Sequence, residues 1–447
     1  MISKSETETV SRALQTALDA GAQKVRITYS KSDEELVATL NGEVDKVTRC
    51  TDRSLSLAIF ADGRYGSFST NNIEQEALGA FIRKAVDIVH KIAPDPCREL
   101  PEPERCCHDA LTGDELGLVD PAREQISPEQ RIRAALDASA FNGDRSALPE
   151  GCRLISEEGE YSDSIYETLL MDSNGICCRH SECSFDYGVE TTVESGGEKF
   201  SGYWWDSASH AGKGGYADCG QEALRKAAAQ IGSAPAESGK YTMVVDSEVA
   251  SKLVSPLLQA LNAFSLQQNN SFLADSLGRQ LFPEGMTLMD FPRIPGQCCS
   301  KYFDSEGVAT SDAAIIEKGT VKEYFVNSYM ARKTGLAPTI EAATRPRLMP
   351  WPAPGMHRSD ILRLCGDGIL VTDFNGGNCN QATGDFSYGI EGFLFRGGEI
   401  VRPVSEMLVT GNFLRLWKNL VACGDDARPC MSKLIPTTAF SDVDFSG

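Results

Sequence analysis

Histidine is scarce in this chain of 447 residues: there are five, His90, His108, His180, His210 and His357. None is followed by a second at the i+4 or i+5 spacing with which one helix holds zinc, so the common helical zinc device is absent. No run of about eighteen apolar residues occurs, which argues against a membrane span. The start, MISKSETETVSRALQ, has no apolar stretch of the signal-peptide kind, and a cytoplasmic location is expected. Cations are few beside anions: 43 Lys and Arg against 63 Asp and Glu, a formal net charge of -20. Phosphate contact needs clustered Lys and Arg, so nucleic acid is not an expected partner. There is no Gly-x-Ser-x-Gly elbow. Gly239-Lys240 is followed by Tyr241 rather than Ser or Thr, which rules out a Walker loop there.

Cysteine is abundant instead. The fifteen include the neighbours Cys106-Cys107, Cys177-Cys178 and Cys298-Cys299, and the total is odd. Neither feature suits a secreted disulfide framework; reduced, mostly buried thiols fit better. Cys177, Cys178, His180 and Cys183 form the best local metal candidate. They follow an Asn174-Gly175 turn and read as a strand, where side chains alternate faces. Cys178 and His180 then point one way and Cys177 and Cys183 the other, so the ligands do not converge, and no metal is assigned to this chain.

The pattern of elements gives an α+β fold: an N-terminal antiparallel sheet with helices and a C-terminal, mostly β, sandwich or barrel-like domain. Ser5 and Glu8 have capping-box spacing ahead of a helix that Gly21 ends. Lys24 to Ser30 reads as a strand, and Asn41-Gly42 and Asp62-Gly63 as hairpin turns. A helix over 73–92 is expected to turn Ala77, Phe81, Ala85, Ile88 and Val89 inward. Residues 1–93 form the first domain in this reading. Residues 94–231 form a middle region of helix and β-hairpin that can pack with the first, and it opens on a proline-rich linker or extended surface segment over 94–128. Residues 232–447 form the β-rich domain, with a strand at YTMVVD, a helix over 248–264 and glycine turns at Gly319, Gly366 and Gly397-Gly398. Five prolines interrupt the rhythm over 336–358, as in an ordered loop.

Two stretches, Phe303–Gly335 and Asn375–Asn412, are dense in Gly, Asp, Thr and Ser among apolar strands. Simple turns explain them, and so does an edge where backbone meets an extended peptide. FDSEG followed by YFVNSYMARKTG, then TGDFSYGIEGFLFRGGEIVRPVSE and TGNFLRLWKNLVACGDD, resemble the C-terminal domain of the TldD/PmbA family of peptidase-related proteins. NNSFLADSLGRQLFP (Asn269 to Pro283) is similar to the PmbA, or TldE-like, branch, and the ADGRYGSFST hairpin is similar too. The resemblance runs through essentially the whole chain and is weakest over 94–150 and 336–358.

The resemblance implies a cytoplasmic complex that degrades unfolded, linear peptides. A TldD-like subunit carries a His-Glu-x-x-x-His helix and a cysteine ligand for zinc; the PmbA-like subunit lacks them. Here LVSPLLQALNAF stands at that helix, with Ser255, Pro256 and Ala260 in place of His, Glu and His. Neither Pro nor Ala can hold zinc or deprotonate water. No cofactor is expected on this chain, zinc is expected in a TldD-like partner, and Cys423 and Cys430 are read as structural. The expected partners are a TldD-like subunit or a second copy, with unfolded peptide as substrate. Asp304, Ser305, Glu306, Thr383, Gly384 and Asp385 are the candidate peptide-facing residues. Two alternatives stay open: a stand-alone peptidase using Cys178, His180 or Cys430, and a regulatory protein-binding module of the DNA gyrase modulator kind.

Overall fold

The computed structural model of the chain describes residues 2–146, 148–215 and 218–447. Helix α1 (Lys4–Asp19) is opened by Ser3, whose hydroxyl accepts the Glu6 amide while the Glu6 carboxylate accepts the Ser3 amide. The cap thus lies two residues before the expected Ser5 and Glu8. Ile2 decides the choice: it is buried, and its amide donates to Glu167 of the sheet at 2.5 Å, fixing the chain just ahead of Ser3.

Strands β1 (Lys24–Leu40) and β2 (Glu43–Ala61) meet at Asn41-Gly42, and β3 (Arg64–Thr70) returns from Asp62-Gly63. All four turn residues have positive φ, 52° and 79° in the first turn and 53° and 70° in the second, the backbone that two-residue hairpins require. Helix α2 (Gln75–Val89) buries Leu78, Ile82, Ala85, Val86 and Val89. The expected inward face is therefore rotated, and Ile88 is exposed. Ala85 and Val89 are common to both faces, and Val89 seats on Gly66, where an added Cβ would come within 2.7 Å of it.

Residues 94–128 are an ordered, extended segment. Cys106, Cys107 and Leu118 are buried, and the segment is a strap along the sheet. The amides of Arg179, Ser181 and Cys183 donate to the carbonyls of Ala110, Gly113 and Leu118. Helix α3 (Pro128–Asp137) follows, capped by Ser127. Then come β4 (Arg153–Asp172), β5 (Cys177–Ser195), β6 (Glu198–Ala208) and α4 (Cys219–Ala229). The six strands form one antiparallel sheet in the order β3-β2-β1-β4-β5-β6, so residues 1–93 and 94–231 share a single sheet through β1 and β4.

The remaining chain contributes β7 (Gly239–Val245), α5 (Ser251–Ala260), α6 (Ala263–Gln267), β8 (Leu288–Asp290), β9 (Ala313–Glu317), β10 (Thr320–Val321), α7 (Ser328–Thr334), β11 (Pro346–Leu348) and α8 (Arg358–Cys365). It ends with β12 (Gly368–Cys379), β13 (Asp385–Arg396), β14 (Glu399–Asn412), α9 (Phe413–Lys418), β15 (Leu420–Cys423) and β16 (Thr438–Ser446). The order β14-β13-β12-β7-β16 closes through pairing of β14 with β16, giving a five-stranded barrel with β15 beyond it. The fold is α+β with a barrel-like C-terminal domain, as expected. The single helix expected over 248–264 is two, because Asn262 leaves helical geometry and its side chain accepts the Phe264 amide to start α6. A small sheet, β10-β9-β8-β11, shares the core of the barrel through Leu288, Ile315, Ile316 and Val321.

Asp163, fully buried on β4, binds the strap and α3 to the sheet. Arg131 of α3 meets both its oxygens, at 2.5 and 3.0 Å, and Arg123 of the strap lies 2.8 Å away. Removing the carboxylate leaves Arg131 buried without its anion and Arg123 with Asp33 alone, 3.1 Å away, a change that costs about 3–5 kcal/mol. Asp163→Ala is therefore expected to lower the urea midpoint sharply; a shift below about 1 kcal/mol would show that the triad does not hold these elements.

Candidate functional site

The register of β4 and β5 sets His180 opposite Thr168, Glu182 opposite Tyr166 and Cys178 opposite Leu170. Side chains two apart share a face, so Tyr166, Thr168 and Leu170 line up beside His180 and Glu182. The loops 299–305 and 341–344 cross over this face and enclose a cavity of about 470 Å³, lined also by Thr28, Cys299, Lys301 and Phe303. That volume falls within the usual range of small-ligand sites. His180 Nε2 stands 3.3 Å from Glu182, whose other oxygen accepts the Cys299 amide at 2.9 Å. The Thr168 hydroxyl is buried in this wall without a hydrogen-bond partner.

Asp304 and Ser305 line the same cavity. Asp304 Oδ1 accepts the amides of Glu306 and Val308, both at 2.9 Å, and so shapes the FDSEG turn. The Ser305 amide and hydroxyl donate to the two oxygens of Glu341, at 2.9 and 2.5 Å. Glu306 is buried and faces away, accepting the Ser328 amide at the start of α7. It positions the turn from behind and does not line the cavity.

Thr383, Gly384 and Asp385 lie elsewhere, at the turn between β12 and β13, and none of them lines the cavity. Thr383 Oγ1 donates to Asp385 Oδ2 at 2.7 Å, and Asn412 Nδ2 donates to the Thr383 carbonyl and to Asp385. Gly384, at φ +82°, packs on Phe272, where an added Cβ would come within 3.0 Å. The same turn holds Gln381, whose Nε2 donates to the Pro256 carbonyl of α5 at 2.8 Å. The second group of candidates therefore sits beside the helix that carries Ser255, Pro256 and Ala260.

That helix offers no ligand set. The Ser255 hydroxyl donates to Ser251 within the helix at 2.9 Å, Pro256 has no donor atom, and Ala260 is fully buried. Among the described residues no group of three or more His, Cys, Asp or Glu could hold a metal ion. Cys178 is buried and its thiol donates to the Cys107 carbonyl at 3.0 Å, Cys177 is exposed, and Cys423 is packed in the core. The residues present do not fit zinc.

Residues 25–89, 122–231 and 238–447 match domain 1, the central domain and the C-terminal domain of the PmbA/TldA metallopeptidases. The chain belongs to the PmbA/TldD family. The metalloprotease PmbA of Escherichia coli O157:H7 is 29% identical over 97% of this chain and 96% of its own length. The PmbA homolog of Haemophilus influenzae is 27% identical over 94% of this chain and 91% of its own length. Among solved structures, a Bacteroides thetaiotaomicron protein described as a candidate modulator of DNA gyrase is 34% identical. It covers all of both chains with a TM-score of 0.94. TldE from Thermococcus kodakarensis shares the fold at 18% identity, with a TM-score of 0.83 over 98% of this chain and all of its own. Among the described residues of this PmbA/TldD chain, no helix is long and apolar enough to cross a membrane.

Sequence reasoning singled out Asp304 and Ser305 but missed Thr168, Lys301 and Glu341 around them. Nothing local marks these three; strand register and a loop crossing bring them together.

Burial, and after it the neighbouring Glu341 carboxylate, push the Asp304 carboxyl up to about 7. From about pH 4 to about pH 7 the folded chain keeps a proton that the unfolded chain releases. The contribution of this group to stability therefore falls as pH rises through that window and levels off above it. Asp304→Asn cannot ionise, so its Tm is expected to drop less than that of the wild type between about pH 4 and pH 7. Parallel curves in calorimetry would mean that Asp304 is already ionised at the acid end.

Proposed function

We propose that this chain is the PmbA- or TldE-like subunit of a two-subunit peptidase that acts on unfolded, linear peptides, and that it carries no metal of its own. A TldD-like partner supplies the zinc. The observation that carries the reading is α5, which presents a hydroxyl, a pyrrolidine ring and a methyl group at positions 255, 256 and 260. None of these groups can replace an imidazole as ligand or a carboxylate as general base. Membership of a metallopeptidase family and the names of the PmbA relatives support a role in proteolysis.

In this reading the chain contributes walls rather than chemistry. Asp304 and Ser305 in the cavity, and Thr383, Gly384 and Asp385 at the turn beside α5, are the groups that meet extended peptide. Glu306 holds the first turn in place. Backbone at exposed turns and edges binds extended chain through main-chain hydrogen bonds and little side-chain selection, which suits unfolded substrates.

Elemental analysis of the chain purified without a metal-binding tag is expected to give zinc well below one ion per chain, and no cleavage of an unfolded protein such as casein. Adding a TldD-like chain is expected to bring both zinc and cleavage. Near-stoichiometric zinc and cleavage by the chain alone would transfer the reading to a stand-alone peptidase.

A further inference from the structure

A second cavity, of about 450 Å³, lies where β6 and α4 meet the barrel strands β12 and β13. It shares no residue with the cavity at His180 and Thr168 or with the turn that holds Thr383 to Asp385. The cations in its wall are all answered within the chain. Arg225 pairs with Glu222, Lys226 with Glu248, and Arg358 with Asp246 at 2.6 Å. Two of its anions are not. Asp373 of β12 stands directly opposite Glu391 of β13, and neither meets a cation among the described residues. Asp373 accepts the Phe374 amide at 2.8 Å, and Glu391 accepts Asn375 Nδ2 at 3.0 Å. Like charges directly opposite on neighbouring strands repel, so this pair lacks a positive group.

An independent observation points to the same missing group. Gln230, at the end of α4, lines the cavity and is only 9% exposed, and its Oε1 is buried without a donor. A buried acceptor left unpaired is costly, and a ligand that brings an N–H removes the cost. We propose that this cavity binds an organic cation rich in N–H donors, an alkylammonium or a guanidinium. Asp373 and Glu391 supply the charge for it, Gln230 Oε1 accepts one of its hydrogens, and Tyr203 and Phe393 add aromatic surface for its charge and its methylene groups. An organic cation suits the site better than a metal ion. Gln230 calls for a donor, and among the described residues no group of three His, Cys, Asp or Glu is placed to hold a metal. The same cation comes either as a free amine or as the basic side chain of a peptide. This inference goes beyond the proposed function and does not rest on it: zinc content and cleavage test that reading, and cation binding tests this one.

Isothermal titration calorimetry of the full chain at neutral pH, with the diamine putrescine and separately with N-acetylarginine amide, decides the matter. At least one is expected to bind with a Kd below about 1 mM, and the uncharged diol of the same length as putrescine is expected not to bind. Glu391→Gln keeps the size of the side chain and is expected to raise the Kd about tenfold. Gln230→Leu is expected to weaken binding as well, with a Tm no lower than that of the wild type, because it removes an acceptor that the free chain leaves unpaired. Binding of putrescine alone assigns the site to free amines, and binding of the arginine amide assigns it to basic peptide side chains. No binding of either cation, equal binding of the diol, or an unchanged Kd in either variant would overturn the proposal.

Discussion

The long pairing of β1 with β4, from Arg26 opposite Asp172 to Leu40 opposite Glu158, is the contact on which the rest of the architecture depends. It joins residues more than a hundred positions apart in sequence. It turns two separate three-stranded meanders into one six-stranded sheet with a single apolar face for α1 and α2. Without it Val25, Ile27 and Tyr29 on one strand and Leu169 on the other would each lack half of their packing. Such pairing costs loop entropy before any contact rewards it, so its stability comes from the burial that it makes possible.

The same sheet creates a second demand. Where β6 does not reach, β5 leaves peptide groups unpaired, and the strap over 94–128 takes them up. Buried backbone amides must be paired, which explains why a proline-rich, charged segment runs as ordered chain. Asp163 between Arg123 and Arg131 then fixes its far end. Loops 299–305 and 341–344 of the C-terminal domain roof the face on which His180 and Thr168 meet.

The barrel follows a different logic. Its closure removes edges altogether, and α5 packs against it with Leu253, Val254 and Leu257 buried. A helix so placed presents a few positions to the turn that carries Gln381 to Asp385. In this chain those positions bear side chains of packing rather than of coordination.

Some of this was legible in the residues. The turns at Asn41-Gly42, Asp62-Gly63 and Lys318-Gly319 were readable because positive φ favours Gly, Asn and Asp over short range, and the structure has positive φ at all three. The alternating faces of β5 were equally local, and so was the α+β class. The rotation of α2, the strap, the meeting of His180 with Thr168 and the closing of β14 on β16 were decided only in three dimensions. A strand's sequence states which side chains share a face, because its period is two; it does not state which strand will lie beside it. That choice belongs to burial and hydrogen-bond pairing across the whole chain, where distant segments compete for the same edge.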